Sequence, residues 1–475
     1  MKIKEIFKLF LIYFIAHGLS LGLAYAQFYD DILFLNWDNN VLISLEKQKN
    51  QILDHQLYLI LFLKSLKPEI FVLLSFFLFF FSALVFNKIV NTFYLIKKET
   101  GYLLTVFYLI LPFGLIKFSF IIIYYLLCMF FFLLGWYFII RSRLLSLFFF
   151  FLSFNMQSLL VLYSLPIISY FYHKKKNQLF SVKEFFFFLI RKIDLLILPF
   201  IFFFIKFFFY KGTGHYENYN TIYEIRSLIL GPILQFLDLF RNNLSIGFLI
   251  LGFLSAYLIL KYILTPLGSY KNKNNLNILI VITGIIGSLF PYWVVGHVPS
   301  FVSYTSRHQL LLLISMPLFI FFLFNSLKNK NIKISITLII ALSLSINFKI
   351  YSDYYIEYLK QKKFITYIGN NKDLFSNNNV IIMNDKIKNA TVTYPNNNNS
   401  AYNNGIFKSI LNNEKNFVIN INEVNDYING KLDYKFNSIN LASQHKRQNN
   451  NNFILFTIES DGYLKYNFSH KFIFF

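Results

Sequence analysis

The chain has 475 residues, of which 56% are hydrophobic, 21% aromatic and only 14% charged, whereas a soluble globular protein carries about 25% charged residues. Its 62 phenylalanines, in runs such as FFLFFF at 76–81 and FFFF at 185–188, exceed what an aqueous domain can bury and point to lipid as the main solvent. The net charge of +22 does not imply nucleic acid, because the cations sit in short clusters between apolar stretches, where orientation signals belong.

Read along the chain, apolar stretches suited to crossing about 30 Å of hydrocarbon as helix fall at 6–25, 69–86, 101–116, 118–140, 144–155, 157–172, 194–210, 244–263, 277–295, 308–326 and 334–350. They predict an α-helical polytopic membrane protein with about eleven transmembrane helices. The membrane core is expected over 1–350 and a small mixed α/β domain over 351–475. The first stretch has a basic start and a small-residue site at 24–27, as a signal peptide does. Its length and the spans that follow favour an uncleaved first helix. The single cysteine, Cys128, lies in an apolar run, which excludes an intrachain disulfide or a cysteine metal cluster.

The fifth and sixth stretches are split because Asn155, Met156 and Gln157 interrupt them, with Arg141 and Arg143 before and His173 to Lys176 after. A pair of short helices returns both basic clusters to one side, and Asn155 and Gln157 are then expected to point inward, since polar groups at membrane depth need protein or water around them. With the split, the positive-inside rule places six clusters on the cytoplasmic side. These are Lys2, Lys4 and Lys8; Lys88, Lys97 and Lys98; Arg141 and Arg143; Lys174 to Lys176 with Arg191 and Lys192; Lys271 and Lys273; and Lys328, Lys330 and Lys333. Segments 26–68, 211–243, 296–307 and the tail from about 351 then share the opposite, extracytoplasmic face. A bacterial inner (plasma) membrane is the expected location. The tail is rich in Asn and Lys, and its pieces VIIM at 380–383, FVINI at 417–421 and FILFTI at 453–458 read as strands.

The segment AQFYDDILFLNWDNN at 26–40 carries the most chemistry. Asp30 and Asp31 stand where the chain leaves the membrane, a costly place for acids unless they face water or a partner; the alternative is a solvated pair or a helix cap. A first span followed at once by an acid pair in the first outer loop resembles the GT-C class of membrane glycosyltransferases, which use lipid-phosphate-linked sugars. Members have some eight to thirteen helices, several of them short, a long first outer loop with an amphipathic segment, and often a soluble C-terminal domain. Here 40–67 takes the place of the loop segment.

The resemblance implies that Asp30 or Asp31 is the general base that removes a proton from an acceptor hydroxyl as it attacks the anomeric carbon. A carboxylate within hydrogen-bond reach can do this. The other acid would orient the acceptor or help hold Mg²⁺ or Mn²⁺, which prefer hard oxygen ligands. The partners implied are a polyprenyl-phosphate-sugar donor and a glycan, lipid or protein acceptor.

Two further segments are candidates for substrate binding. VVGHVPSFVSYTSRHQLL at 294–311 puts Arg307 and His308 at the start of an apolar helix, where a cation gains nothing from the helix dipole. A donor phosphate would suit Arg307, against snorkelling to headgroups; for His297 and His308 the alternative is a packing histidine. KGTGHYENYN at 211–220 offers His215 and Glu217 for the acceptor. Lys206, inside the seventh span, marks a partner or pathway, or else snorkels. A transporter or flippase of a lipid-linked glycan is the second reading and a surface-polysaccharide polymerase or ligase the third.

Overall fold

The computed structural model describes residues 1–26, 39–53, 55–94, 96–175, 182–213, 217, 225–240, 245–263, 278–301, 304–325, 329–375, 380–386, 407, 410–411, 417–425, 452–460 and 466–474. These are mostly helical. In chain order the helices are α1 (Ile3–His17), α2 (Asn39–Lys49), α3 (His55–Lys64), α4 (Pro68–Phe93), α5 (Lys98–Ile110), α6 (Ile123–Phe138), α7 (Arg143–Ser153), α8 (Ser158–Leu162) and α9 (Ser164–Lys174). They continue with α10 (Val182–Arg191), α11 (Ile193–Phe209), α12 (Ile225–Phe240), α13 (Ile246–Leu258), α14 (Ile278–Trp293), α15 (Leu312–Asn325), α16 (Asn329–Asn370) and α17 (Lys372–Phe375). Four strands follow: β1 (Val380–Asp385), β2 (Phe417–Asn420), β3 (Asn452–Ser460) and β4 (Tyr466–Phe474).

Among the described residues, four helical segments are long and apolar enough to cross a membrane: Ile3–Leu23, Pro68–Phe93, Ile246–Ile263 and Asn331–Asn370. Shorter apolar helices occupy Ile123–Phe138, Arg143–Ser153, Ile278–Trp293 and Leu312–Phe324. The chain is therefore read as a membrane protein. Local sequence explains where the longest spans begin: α4 starts with Pro68 at its first turn, where the missing N–H costs nothing, and Glu69 there complements the helix dipole.

Contacts sort the helix ends into two sets. At one end, Tyr94 after α4 meets Ser169 of α9 at 2.8 Å, Ser146 of α7 donates to the Gly135 carbonyl of α6 at 2.8 Å, and Arg143 pairs with Asp194 of α11. Lys8 of α1 donates to the Ile263 carbonyl at 2.9 Å. Lys8, Arg141, Arg143, Lys174 and Lys192 thus gather at a common end of the bundle. At the other end, Asn155 donates to Gln51 Oε1 at 3.2 Å and to the Leu53 carbonyl at 3.0 Å, Tyr292 donates to Ser158 Oγ at 3.1 Å, and Asn347 of α16 donates to the Ile110 carbonyl at 2.9 Å.

The interruption at 154–157 is a real break between α7 and α8. The chain folds back there, since the Phe150 and Tyr163 rings lie 4.7 Å apart. Asn155 does face protein, but Gln157 is exposed, contrary to the inward direction expected of it. The single loop segment expected at 40–67 is two helices, α2 and α3. They part at Asn50, whose φ of 45° is the left-handed conformation that Asn tolerates at helix ends.

α16 is one 42-residue helix that runs through residue 350 without interruption. Its first half packs into the helical core through Ile336, Ile340, Ala341 and Leu344. Its last turns place Phe364 and Ile368 under the sheet, against Phe375, Phe407 and Phe456. The sheet order is β2-β1-β3-β4, with β1 parallel to β2 and β3 and with β4 antiparallel at the edge. Strand alternation sends Ile454, Phe456 and Ile458 to the helix side and Phe453 and Leu455 to the other.

Candidate functional site

Asp30, Asp31 and His215 lie outside the described residues. The chain is described up to Ala26, through a 3₁₀ turn at Gly18–Leu23 that continues α1. Beside this exit Tyr25 Oη donates a hydrogen bond to the Glu69 carboxylate at the start of α4, and Tyr355 of α16 approaches Gly22. Glu217 is exposed in a turn.

Just beneath the exit, α1, α5, α16 and the 3₁₀ turn Leu115–Phe118 bring together His17, Lys117 and Tyr351. His17 Nε2 lies 2.7 Å from the Leu109 carbonyl oxygen, which can only accept, so this nitrogen carries the proton. Nδ1 is then the acceptor for the Tyr351 hydroxyl at 2.8 Å. Both nitrogens of a neutral imidazole are thereby used. Lys117 Nζ stands 3.4 Å from His17 Nε2, a contact with a nitrogen that already bears hydrogen and so not a hydrogen bond that this ammonium can donate.

Lys117 is 4% exposed, and its ammonium lies over the Phe79 ring, 4.0 Å from the centroid. Placing an ammonium out of water costs several kcal/mol even after relaxation. A cation–π contact returns about 0.5–2 kcal/mol, so the described contacts offset only part of the cost. No carboxylate among the described residues forms an ion pair with Lys117. An ammonium in this setting favours an anion strongly, because attraction grows as the local dielectric falls.

The turn bearing Lys117 packs against a second 3₁₀ turn, Tyr304–Gln309. Gly114 makes the approach possible: its φ is +60°, and a Cβ there would sit 2.5 Å from the Leu310 side chain. Phe113 and Phe301 seal the seam, with ring centroids 5.7 Å apart. The two turns thus place Lys117 and Arg307 on adjoining loops at the same end of the bundle.

Around Arg307, the sequence candidates do come together. His297 and His308 stack with centroids 5.3 Å apart and planes 5° from parallel, and Tyr292 lies 4.5 Å from the His308 ring. Burial, and then the Arg307 charge, hold the His297 imidazole below its usual value, so this ring is neutral beside the guanidinium. Arg307 lies over the Tyr125 ring at 6.0 Å. Gln309 is fully buried, and neither amide atom finds a hydrogen-bond partner among the described residues.

This end of the bundle brings a buried lysine and an arginine onto adjoining turns, beside neutral ring nitrogens that donate or accept. Among the described residues no three His, Cys, Asp or Glu side chains gather to hold a metal ion. Sequence reasoning did not single out Lys117, His17, Tyr351 or Gln309. One signal was readable: Lys117 falls between the third and fourth predicted spans, on the face that the positive-inside rule leaves poor in lysine. Lys206, by contrast, is accounted for structurally. It hydrogen-bonds the Lys49 carbonyl at 3.1 Å and the Asn50 carbonyl, a cation on the C-terminal carbonyls of α2.

Comparison with protein-family models, with curated proteins and with solved structures finds no match to this chain.

Proposed function

We propose that the chain is a membrane glycosyltransferase of GT-C type, moving a sugar from a polyprenyl-phosphate-linked donor to a glycan, lipid or protein acceptor on the extracytoplasmic face. The observation that carries this reading is Lys117, a buried amine without an acid partner among the described residues, on a turn that adjoins the Arg307 turn. The donor's phosphate is the anion that completes them, with guanidinium and ammonium sharing its oxygens. Asp30 and Asp31 follow the exit of α1, which packs against the same turn. One of them accepts the acceptor's proton, and the other orients the acceptor or shares a divalent cation. Catalysis is then mostly positioning and proton removal.

In this reading the chain crosses the bilayer eleven times. α7 and the α8–α9 pair make two short crossings, and the basic end of the bundle is cytoplasmic. Reporter fusions at residues 90, 180 and 360 test this arrangement, and a cytoplasmic signal at 360 would overturn it.

The transfer itself is tested by substituting Asp30→Asn, Asp31→Asn and Lys117→Met in cells whose surface glycans are profiled. Loss of one sugar from an otherwise exported glycan is the expected result, with a general-base loss of about 10²–10⁴-fold in rate. The break between α7 and α8 favours a second reading, a carrier of lipid-linked glycan, because carriers use broken helices around their sites. Accumulation of the complete lipid-linked glycan inside the variant cells would select that carrier and reject the transferase.

A further inference from the structure

α10 differs from the spanning helices in length and in sidedness. Its ten residues reach about 15 Å, too short to cross. Phe185 and Phe188 lean back on α9, with ring centroids 5.0 and 5.3 Å from that of Phe171. Val182, Phe186 and Ile190, spaced four apart, form an exposed apolar stripe that Phe187 widens, and Lys183, Glu184 and Arg191 stand exposed along its border. A helix of this kind lies in the plane of the membrane interface with its apolar stripe in the acyl region.

The chain turns at Lys192 directly after α10, and the turn meets two other cations. Lys174 Nζ is 5.8 Å from the Tyr170 ring centroid, and Phe188 packs on the same ring at 5.3 Å. Arg143 pairs with Asp194, two residues beyond Lys192. Burial, then the Arg143 and Lys174 charges, push the Lys192 amine below its ordinary value. Three cations thus converge on one half-exposed corner with Asp194 among them, and because the neighbouring Glu184 is taken up by Lys175 the corner keeps an excess of positive charge. Charge and apolar stripe are arranged in the order of a phospholipid, phosphate at the corner and chains beneath it.

We propose that Arg143, Lys174 and Lys192 hold the headgroup phosphate of an anionic phospholipid whose acyl chains run along the Phe186 and Ile190 stripe of α10. This site is at the end of the bundle opposite Lys117 and Arg307 and does not depend on the transferase reading. The lipid fixes α10 in the interface and ties the α9–α11 corner to one leaflet.

The test is native mass spectrometry of the full chain in detergent, with phosphatidylglycerol and phosphatidylcholine supplied in equal amounts. Wild type is expected to retain phosphatidylglycerol preferentially. Each of Lys174→Ala and Lys192→Ala should weaken that retention about fivefold, leaving phosphatidylcholine unchanged, whereas the Lys→Arg versions should keep it. Phe186→Ser with Ile190→Ser should lower retention of both lipids. Equal retention of the two lipids by wild type overturns the proposal without reference to any variant. Displacement of the lipid by an equal concentration of inorganic phosphate also overturns it, because the corner would then be a site for free phosphate.

Discussion

The Lys117 ammonium and the Phe79 ring face each other at 4.0 Å, across the junction of α4 with the turn that follows α5. If the lysine served packing alone, removing its charge would weaken the fold. A cation kept for an anionic substrate behaves in the opposite way, because the folded protein bears its desolvation. Lys117→Met is therefore expected to unfold at the same or a higher temperature, because the desolvation cost of the amine is removed, while losing sugar transfer. Thermal unfolding in detergent with a transfer assay decides the matter. A clearly less stable variant assigns Lys117 to structure.

Stability should also depend on pH through His297. Its imidazole is held below the ordinary value by burial and by Arg307, whereas the unfolded chain titrates near about 6.5. As pH drops below that value the unfolded state takes up the proton first, which favours unfolding. The contribution is complete above about pH 6.5 and is lost as pH falls toward the folded value. Unfolding temperatures measured from pH 7.5 to 5.5 should decline in wild type and decline less in His297→Gln; identical slopes would remove His297 from the titration.

Two glycines of α13 make opposite predictions. A Cβ on Gly252 would lie 2.5 Å from the Ala341 carbonyl oxygen and 3.0 Å from Ser345 of α16, a close helix approach of the kind small residues allow in membranes. Gly252→Ala should cost about 1–3 kcal/mol as the helices part. Gly247 has no atom within 4 Å of such a Cβ, so Gly247→Ala should be neutral or gain up to about 1 kcal/mol from helix propensity. Parallel melts of the two variants test the pairing, and equal effects would contradict it.

Lys206 anchors the end of α2 to α11. Removing the ammonium in Lys206→Met takes a cation from the helix C-terminus, an effect of about 0.3–1 kcal/mol, and up to about 2 kcal/mol when partly buried. The loss should appear locally, as faster amide hydrogen exchange over 39–49 with little change in the core of α4. Unchanged exchange in that window would mean the contact contributes nothing to holding α2.

Much of the helical fold was legible because lipid solvation demands long apolar runs. Among the described residues, the four segments long and apolar enough to span overlap the first, second, eighth and eleventh predicted stretches. β1, β2 and β3 announced themselves as compact apolar runs. β4 did not, since the adjacent polar pair His470 and Lys471 breaks the alternation of YNFSHKFIF, and its His470 stands opposite Phe456.

The site was less legible. Arg307, His297 and His308 stood out as polar residues at the mouth of an apolar helix, and they do meet. Lys117 was concealed in LIKFSFII at 115–122, where one lysine reads as a gap between spans. Its significance arises from the left-handed Gly114 and the neighbouring turn, a tertiary relation that no local pattern encodes. Likewise, periodicity alone could not reveal that 40–67 bends at Asn50.

The unbroken α16 has a mechanical consequence. At 1.5 Å per residue its 42 residues extend about 63 Å, roughly twice the thickness of the hydrocarbon layer. No break in the helix separates Asn347 and Tyr351, which touch the helical core, from Phe364 and Ile368 under the sheet, so the sheet is carried on a single rod and not on a jointed linker.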